Sequence, residues 1–135
     1  MIKLPKAVEY GILALKYLND VQDFRCVSVK EIAEKANIPY DLLAKIMQKF
    51  AKKGYIESTQ GSSGGYKLSK RPDEISLSEI ILVLDYKMQF TDCMESDKPL
   101  DACARFGNCP IHDPLHKVQS RIHSLLNEVK LAEII

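Results

Sequence analysis

Gly61-Ser62-Ser63-Gly64-Gly65 is the run that most limits the fold, because it can continue neither a helix nor a regular strand. It lies between two short segments of strand composition, Tyr55 to Gln60 and Tyr66-Lys67-Leu68, and so closes a β-hairpin. Two helical segments stand before it. Ser28-Val29-Lys30-Glu31 has the spacing of a reciprocal capping box and opens a short helix from Val29 to about Ala36. Asn37-Ile38-Pro39 then makes a turn, with Pro39 suited to a first helical position. The second helix runs from Tyr40 to about Lys53 and stops at Gly54. Leu43, Ile46, Met47 and Phe50 form its apolar stripe, while Asp41, Ala44, Lys45, Gln48, Lys49 and Lys52 occupy the other face. Alone, such a helix reads equally well as amphipathic with a solvated lysine face. Followed directly by a hairpin, the pair predicts a winged helix-turn-helix. A nucleotide-binding loop is excluded, since no Gly-Lys-Ser/Thr and no immediate helix follow the glycines.

Charge is divided along the chain. Residues 1–71 carry 13 Lys/Arg against 7 Asp/Glu, and residues 72–135 carry 6 against 11. A basic front half suits a polyanionic partner. The first helix, about Pro5 to Asp20, is apolar on most of its circumference (Ala7, Val8, Ile12, Leu13, Leu15, Leu18) and is expected to be buried between other elements. Glu9 and Lys16 interrupt it, so it does not read as a signal peptide, and no apolar run approaches the ~20 residues needed to span a bilayer. A cytoplasmic protein with reduced cysteines is the expectation, with Cys26 acting as a half-buried small hydrophobe.

Ser76-Leu77-Ser78-Glu79 is a second capping box, opening a helix through Tyr86 with Ile80, Ile81, Val83 and Leu84 on its apolar side. Beyond it, Cys93, Cys103 and Cys109 fall within 17 positions, and His112 follows at a Cys-x-x-His spacing. Between them stand Asp, Ser, Lys, Pro, Gly and Asn, which read as a loop. A loop gathering three soft thiolates and an imidazole is a cage for an iron–sulfur cluster or zinc. Past Pro114, Leu115, Val118, Ile122, Leu125 and Val129 are spaced 3, 4, 3, 4. That seam suits pairing with a second copy, or packing on its own domain. No Ser/His/Asp or paired-carboxylate constellation remains to support an enzyme.

These parts together resemble the IscR/NsrR-type winged-helix transcription regulators of bacteria over essentially the whole chain. The residues that carry the resemblance are Glu9-Tyr10-Gly11, the Ser28-to-Gly54 helix pair, Gly61 to Tyr66, Ser76 to Glu79, the three cysteines and Leu131 to Ile135. The fold implied is mainly α with a small β-hairpin: a winged helix-turn-helix over residues 1–72, then a cluster loop and long dimerisation helix over 73–135, in one compact domain. The resemblance implies a homodimer on a palindromic DNA operator, controlled by an iron–sulfur cluster, with 2Fe–2S favoured and 4Fe–4S the alternative. Cys93, Cys103 and Cys109 would be its thiolate ligands. His112 sits where the IscR type places a histidine ligand, and Glu9 where the NsrR type places a carboxylate that reaches the partner subunit's cluster. His112 is favoured because it needs no second chain. Ser28, Tyr40, Lys45, Gln48 and Lys49 would meet DNA from the helix pair. Gln60, Gly61, Ser62, Ser63, Gly64, Gly65 and Tyr66 would do so from the wing.

Two departures from the family pattern stand out, the first bearing on the cluster and the second against borrowing an operator. Nine residues separate Cys93 from Cys103, where the family commonly has five. Ala44 and Gln60 replace a glutamate and an arginine of the IscR type. Alternatives to the cluster are a Cys103–Cys109 disulfide switch, a structural zinc, and a metal-free regulator controlled by a protein partner.

Overall fold

Where the chain turns is set by its caps, and the computed structural model describes them over residues 2–21, 25–94 and 103–135. Helix α1 spans Lys6–Val21 and buries Val8, Gly11, Ala14, Leu15 and Leu18. Of the apolar residues named on it, Leu13 stands out at 45% exposed. Gly11 has a packing role: a Cβ there would lie 2.9 Å from Phe50 Cζ and 3.1 Å from Leu84 Cδ1. Glycine therefore lets α1 approach the rest of the core closely.

Helix α2 (Val29–Ala36) starts at Ser28, whose hydroxyl accepts from the Glu31 amide at 3.1 Å. The expected reciprocal half of that box is replaced. Glu31 turns to Arg25 (2.8 and 2.6 Å) and accepts from the Tyr17 hydroxyl at 2.7 Å. A bidentate guanidinium outcompetes a lone backbone amide. Asn37, at φ 54°, ends α2 in the left-handed conformation. Pro39 caps helix α3 (Tyr40–Lys52) instead of occupying its first position, and Gly54 follows at φ 81°. Leu43, Ile46, Met47 and Phe50 are buried, as their spacing predicts.

Strands β1 (Ile56–Thr59) and β2 (Gly65–Leu68) pair antiparallel with Ile56 opposite Leu68 and Thr59 opposite Gly65. Val27 adds a third edge through two hydrogen bonds with Tyr66, at 2.9 and 2.7 Å. Helix α4 (Leu77–Val83) begins with a complete capping box, Ser76 and Glu79 exchanging bonds of 2.7 and 3.2 Å. It stops short of Tyr86 because Asp85 takes φ 66°.

Helix α5 (His112–Glu128) starts two residues before Pro114, which thus sits in the first turn where its missing N–H costs nothing. Val129 lies just past the helix in extended conformation, so it is not the last helical member of the expected seam. The tail then returns to the body. Leu77 donates to Val129 at 2.9 Å, Leu131 donates to Ile75 at 2.8 Å, and the Leu131 side chain is fully buried. One buried cluster runs from Val8 on α1 through Phe50 on α3 to Leu131. Residues 95–102, most of the predicted loop between Cys93 and Cys103, lie outside the described residues, as do residues 22–24.

Candidate nucleic-acid interface and metal centre

The turn at Asn37 and Pro39 sets α3 so that one face is sealed in the core and the other stands free. Tyr40 (56% exposed), Lys45 and Gln48 project from that free face. Ser28 is exposed as well, although its oxygen already accepts the Glu31 amide. Lys49 is engaged: its ammonium lies 2.8 Å from the Asp85 carboxylate. That hydrogen bond is the main reason the Asp85 carboxyl is held below the usual carboxylate range, and Lys53 and Lys52 add to it. Asp85 was missed by sequence reasoning, since 36 positions separate it from Lys49 and no local rule pairs them. Leu42 was missed too. It is 49% exposed in the first turn of α3, an apolar side chain of the kind that can meet a thymine methyl. Between α2 and α3, Lys30, Ala33, Glu34, Ile38 and Tyr40 line an open groove of about 500 Å³.

At the wing, Gln60, Gly61, Ser62 and Ser63 are exposed, whereas Gly64, Gly65 and Tyr66 are half-buried. Two glycines have reasons internal to the hairpin. A Cβ on Gly64 would overlap the Thr59 carbonyl oxygen. One on Gly65, at φ 148°, would stand 2.5 Å from the Val27 backbone. Tyr66 packs its ring against the core while its backbone pairs with Val27. Arg25, also unforeseen, ties the approach to α2 onto Glu31; its hydrogen bonds, then that of Tyr17, hold the Glu31 carboxyl low.

The metal-ligand candidates are less closely gathered. Cys93 is exposed, Cys103 and Cys109 are half-buried, and all three are free thiols. Cys93 Sγ lies 3.1 Å from Thr91 Oγ1. The His112 amide reaches the Cys109 carbonyl at 3.4 Å. His112 Nδ1 is 2.9 Å from Asp113 Oδ1, and its ring stacks on His116. Glu9 sits in the first turn of α1 and holds Lys6 Nζ at 2.8 Å. Among the described residues, no three His, Cys, Asp or Glu side chains converge on a point that could hold a metal ion. The donor chemistry nonetheless fits an iron–sulfur group: three unpaired thiols and an imidazole, on a stretch outside the packed core.

Helix α5 has no buried residue. On its expected seam Val118 and Leu125 are 40% and 57% exposed, and Leu115, Ile122 and Val129 are half-buried. Leu126, outside the seam, is the side chain that packs against the core. No helix among the described residues is long and apolar enough to cross a membrane.

Known proteins share this arrangement. The family model Rrf2, described as an iron-dependent transcriptional regulator, matches residues 4–135. The HTH-type transcriptional regulator NsrR of Bacillus licheniformis is 27% identical over 134 residues, covering 99% of this chain and 92% of that protein. Among solved structures, IscR of T. potens superposes with a TM-score of 0.71 at 26% identity, over 98% of this chain and 85% of the other. CymR, the global cysteine regulator of B. subtilis, superposes at 0.74 with 22% identity, over 99% and 96%. That last likeness concerns the fold, a winged helix that is mainly α with a small hairpin.

Proposed function

The chain belongs to the Rrf2 family of iron-dependent transcriptional regulators, and from that membership we propose a homodimeric regulator that reads a palindromic DNA operator under control of an iron–sulfur cluster. The observation that carries this reading is the free basic face of α3, standing beside a hairpin whose tip residues Gln60 to Ser63 are exposed. Tyr40, Lys45 and Gln48 meet base edges and phosphates in the major groove, and the wing follows the backbone. Phosphate neutralisation supplies most of the affinity, so binding falls steeply with salt.

Cys93, Cys103 and Cys109 would hold the cluster, with His112 as the fourth ligand or Glu9 from a second copy. When bound, such a group supplies redox chemistry and a ligand set that can be lost. The chain's own contribution is a link. The segment from Asp85 to Cys93 starts at the ion pair on Lys49 and ends at a candidate ligand. A change at Cys93 can therefore alter how far Asp85 neutralises the recognition helix. The exposed seam of α5 pairs the two copies and spaces the two α3 helices about one turn of DNA apart, ~34 Å. On this reading residues 1–72 read DNA and residues 73–135 sense and dimerise.

A second reading follows from the unpaired Cys103 and Cys109, six positions apart. Their disulfide would switch the regulator without iron, reversibly with dithiothreitol. One experiment separates the two: absorption with iron and sulfide analysis on anaerobically purified protein, beside Cys103→Ser. Colour with matched iron and sulfide, lost in the variant, is expected. A colourless wild type whose operator binding still responds to dithiothreitol would replace the cluster by the thiol switch.

A further inference from the structure

The exposed face of α3 carries one residue of the wrong sign for a phosphate backbone. Asp41 is the only acid on a helix that holds Lys45, Lys49 and Lys52. It stands exposed in the first turn and heads a row of Asp41, Lys45, Gln48 and Lys52, spaced 4, 3 and 4. That row lies opposite the buried Leu43, Ile46, Met47 and Phe50. Lys45 follows one turn on, at a spacing that favours an ion pair with an acid before it. Among the described residues, however, the Asp41 side chain pairs with none. Its carboxylate therefore stands in water at the end of α3 that a helix-turn-helix turns toward base edges. An acid there suits the helix dipole slightly but repels every nearby phosphate, so it weakens DNA binding unless it meets a donor.

Donors in the major groove are few. Guanine offers N7 and O6, and thymine offers O4, all of them acceptors that repel a carboxylate. Adenine offers its N6 amine beside an N7 acceptor, whereas cytosine offers its N4 amine alone. On the DNA-binding reading above, on which this inference rests, we propose that Asp41 is a specificity-determining residue. Its carboxylate accepts a hydrogen bond from the N4 amine of one cytosine in each half-site. The lysines attract any duplex; Asp41 selects among sequences by repelling the other bases at that pair. An asparagine in its place keeps the acceptor and adds a donor, the pattern that matches adenine N6 and N7. The identity of the base read should therefore follow the side chain at position 41.

Enrichment of bound sequences from a random-sequence duplex library, at one fixed salt concentration, tests this with the full chain and its Asp41→Asn and Asp41→Ala variants. Wild type should enrich a palindrome with one invariant cytosine in each half. Asp41→Asn should replace that cytosine by adenine, and Asp41→Ala should admit every base there, the remaining columns being unchanged. Measured directly, exchange of that C·G pair for T·A should weaken wild type about tenfold and Asp41→Ala less than about twofold. A wild-type motif without an invariant cytosine, or one whose cytosines survive in both variants, would overturn the inference. Loss of the whole motif in variants that remain folded by circular dichroism would overturn it too, since a reader of one base pair moves one column. A wild type that enriches no sequence would instead sink the DNA-binding reading, and this one with it.

Discussion

Helices α3 and α5 are both amphipathic, yet the first buries four side chains and the second buries none. Helix α3 is finished within its own chain: Phe50 is sealed against Gly11 of α1 and stacks edge-on with Tyr55 at 6.3 Å. The long helix leaves Val118 and Leu125 in water. An apolar stripe this exposed suits a second surface, which on the proposed reading is a twofold copy. The difference teaches where rigidity is intrinsic and where it depends on assembly.

The sharpest way to break this comparison is to truncate one apolar side chain on each helix. Phe50→Ala should cost about 3–5 kcal/mol in urea unfolding, transfer and cavity terms adding. Leu125→Ala, measured below the dimer dissociation constant, should cost no more than about 0.5 kcal/mol while weakening self-association in sedimentation. Equal losses at both positions would end the distinction. Next in size is Gly65→Ala. The new methyl would strike the Val27 backbone and impose a left-handed φ on alanine, about 2–4 kcal/mol of stability by thermal unfolding. A neutral result would mean that the hairpin is held by its tip alone.

Asp85→Asn tests the link between the regions. Asparagine keeps the tolerance of φ 66° and removes the charge that pairs with Lys49. Affinity for nonspecific duplex at low salt should rise roughly two- to fivefold, and the gain should fade as salt is added. No change would place Lys49 away from the phosphates. The smallest effect belongs to Glu31→Gln. Glu31 titrates below its ordinary value of 4.5 in the folded chain, so its contribution is present above that pH and lost as pH falls. Wild type should lose about 0.5–1 kcal/mol more than the variant between pH 6 and pH 3, followed by denaturant midpoints.

Local chemistry was legible in the residues, and distant partners were not. Ser76 and Glu79 close their box as spaced, because no stronger partner reaches either. Ser28 and Glu31 have the same spacing and only half the box, because Arg25 arrives with a guanidinium fork. The burial of Leu43, Ile46, Met47 and Phe50 follows from period alone. The early end of α4 does not, since Asp85 is drawn to Lys49 across the fold. Likewise the wing glycines could be read as a turn, but the Val27 backbone that Gly65 must clear is visible only in three dimensions. For the cysteines, spacing shows a donor set, and the described residues bring no three such donors together.

The fastenings of α5 run from its middle to its C-terminal end. Asn127 accepts from Ser78, Gln119 accepts from the Phe90 amide, His123 meets the Met88 carbonyl, and Val129 is stitched to Leu77. Seventeen residues at 1.5 Å each make a rod of about 25 Å with His112 at its other tip and Cys109 just ahead of it. Mechanically this is a lever whose free arm is the stretch ahead of Gln119. A tilt of about 10° about Gln119 would carry the His112 end some 2 Å. Run in reverse, a displacement at the His112 tip becomes a small rotation at the base, delivered to Leu77 at the head of α4.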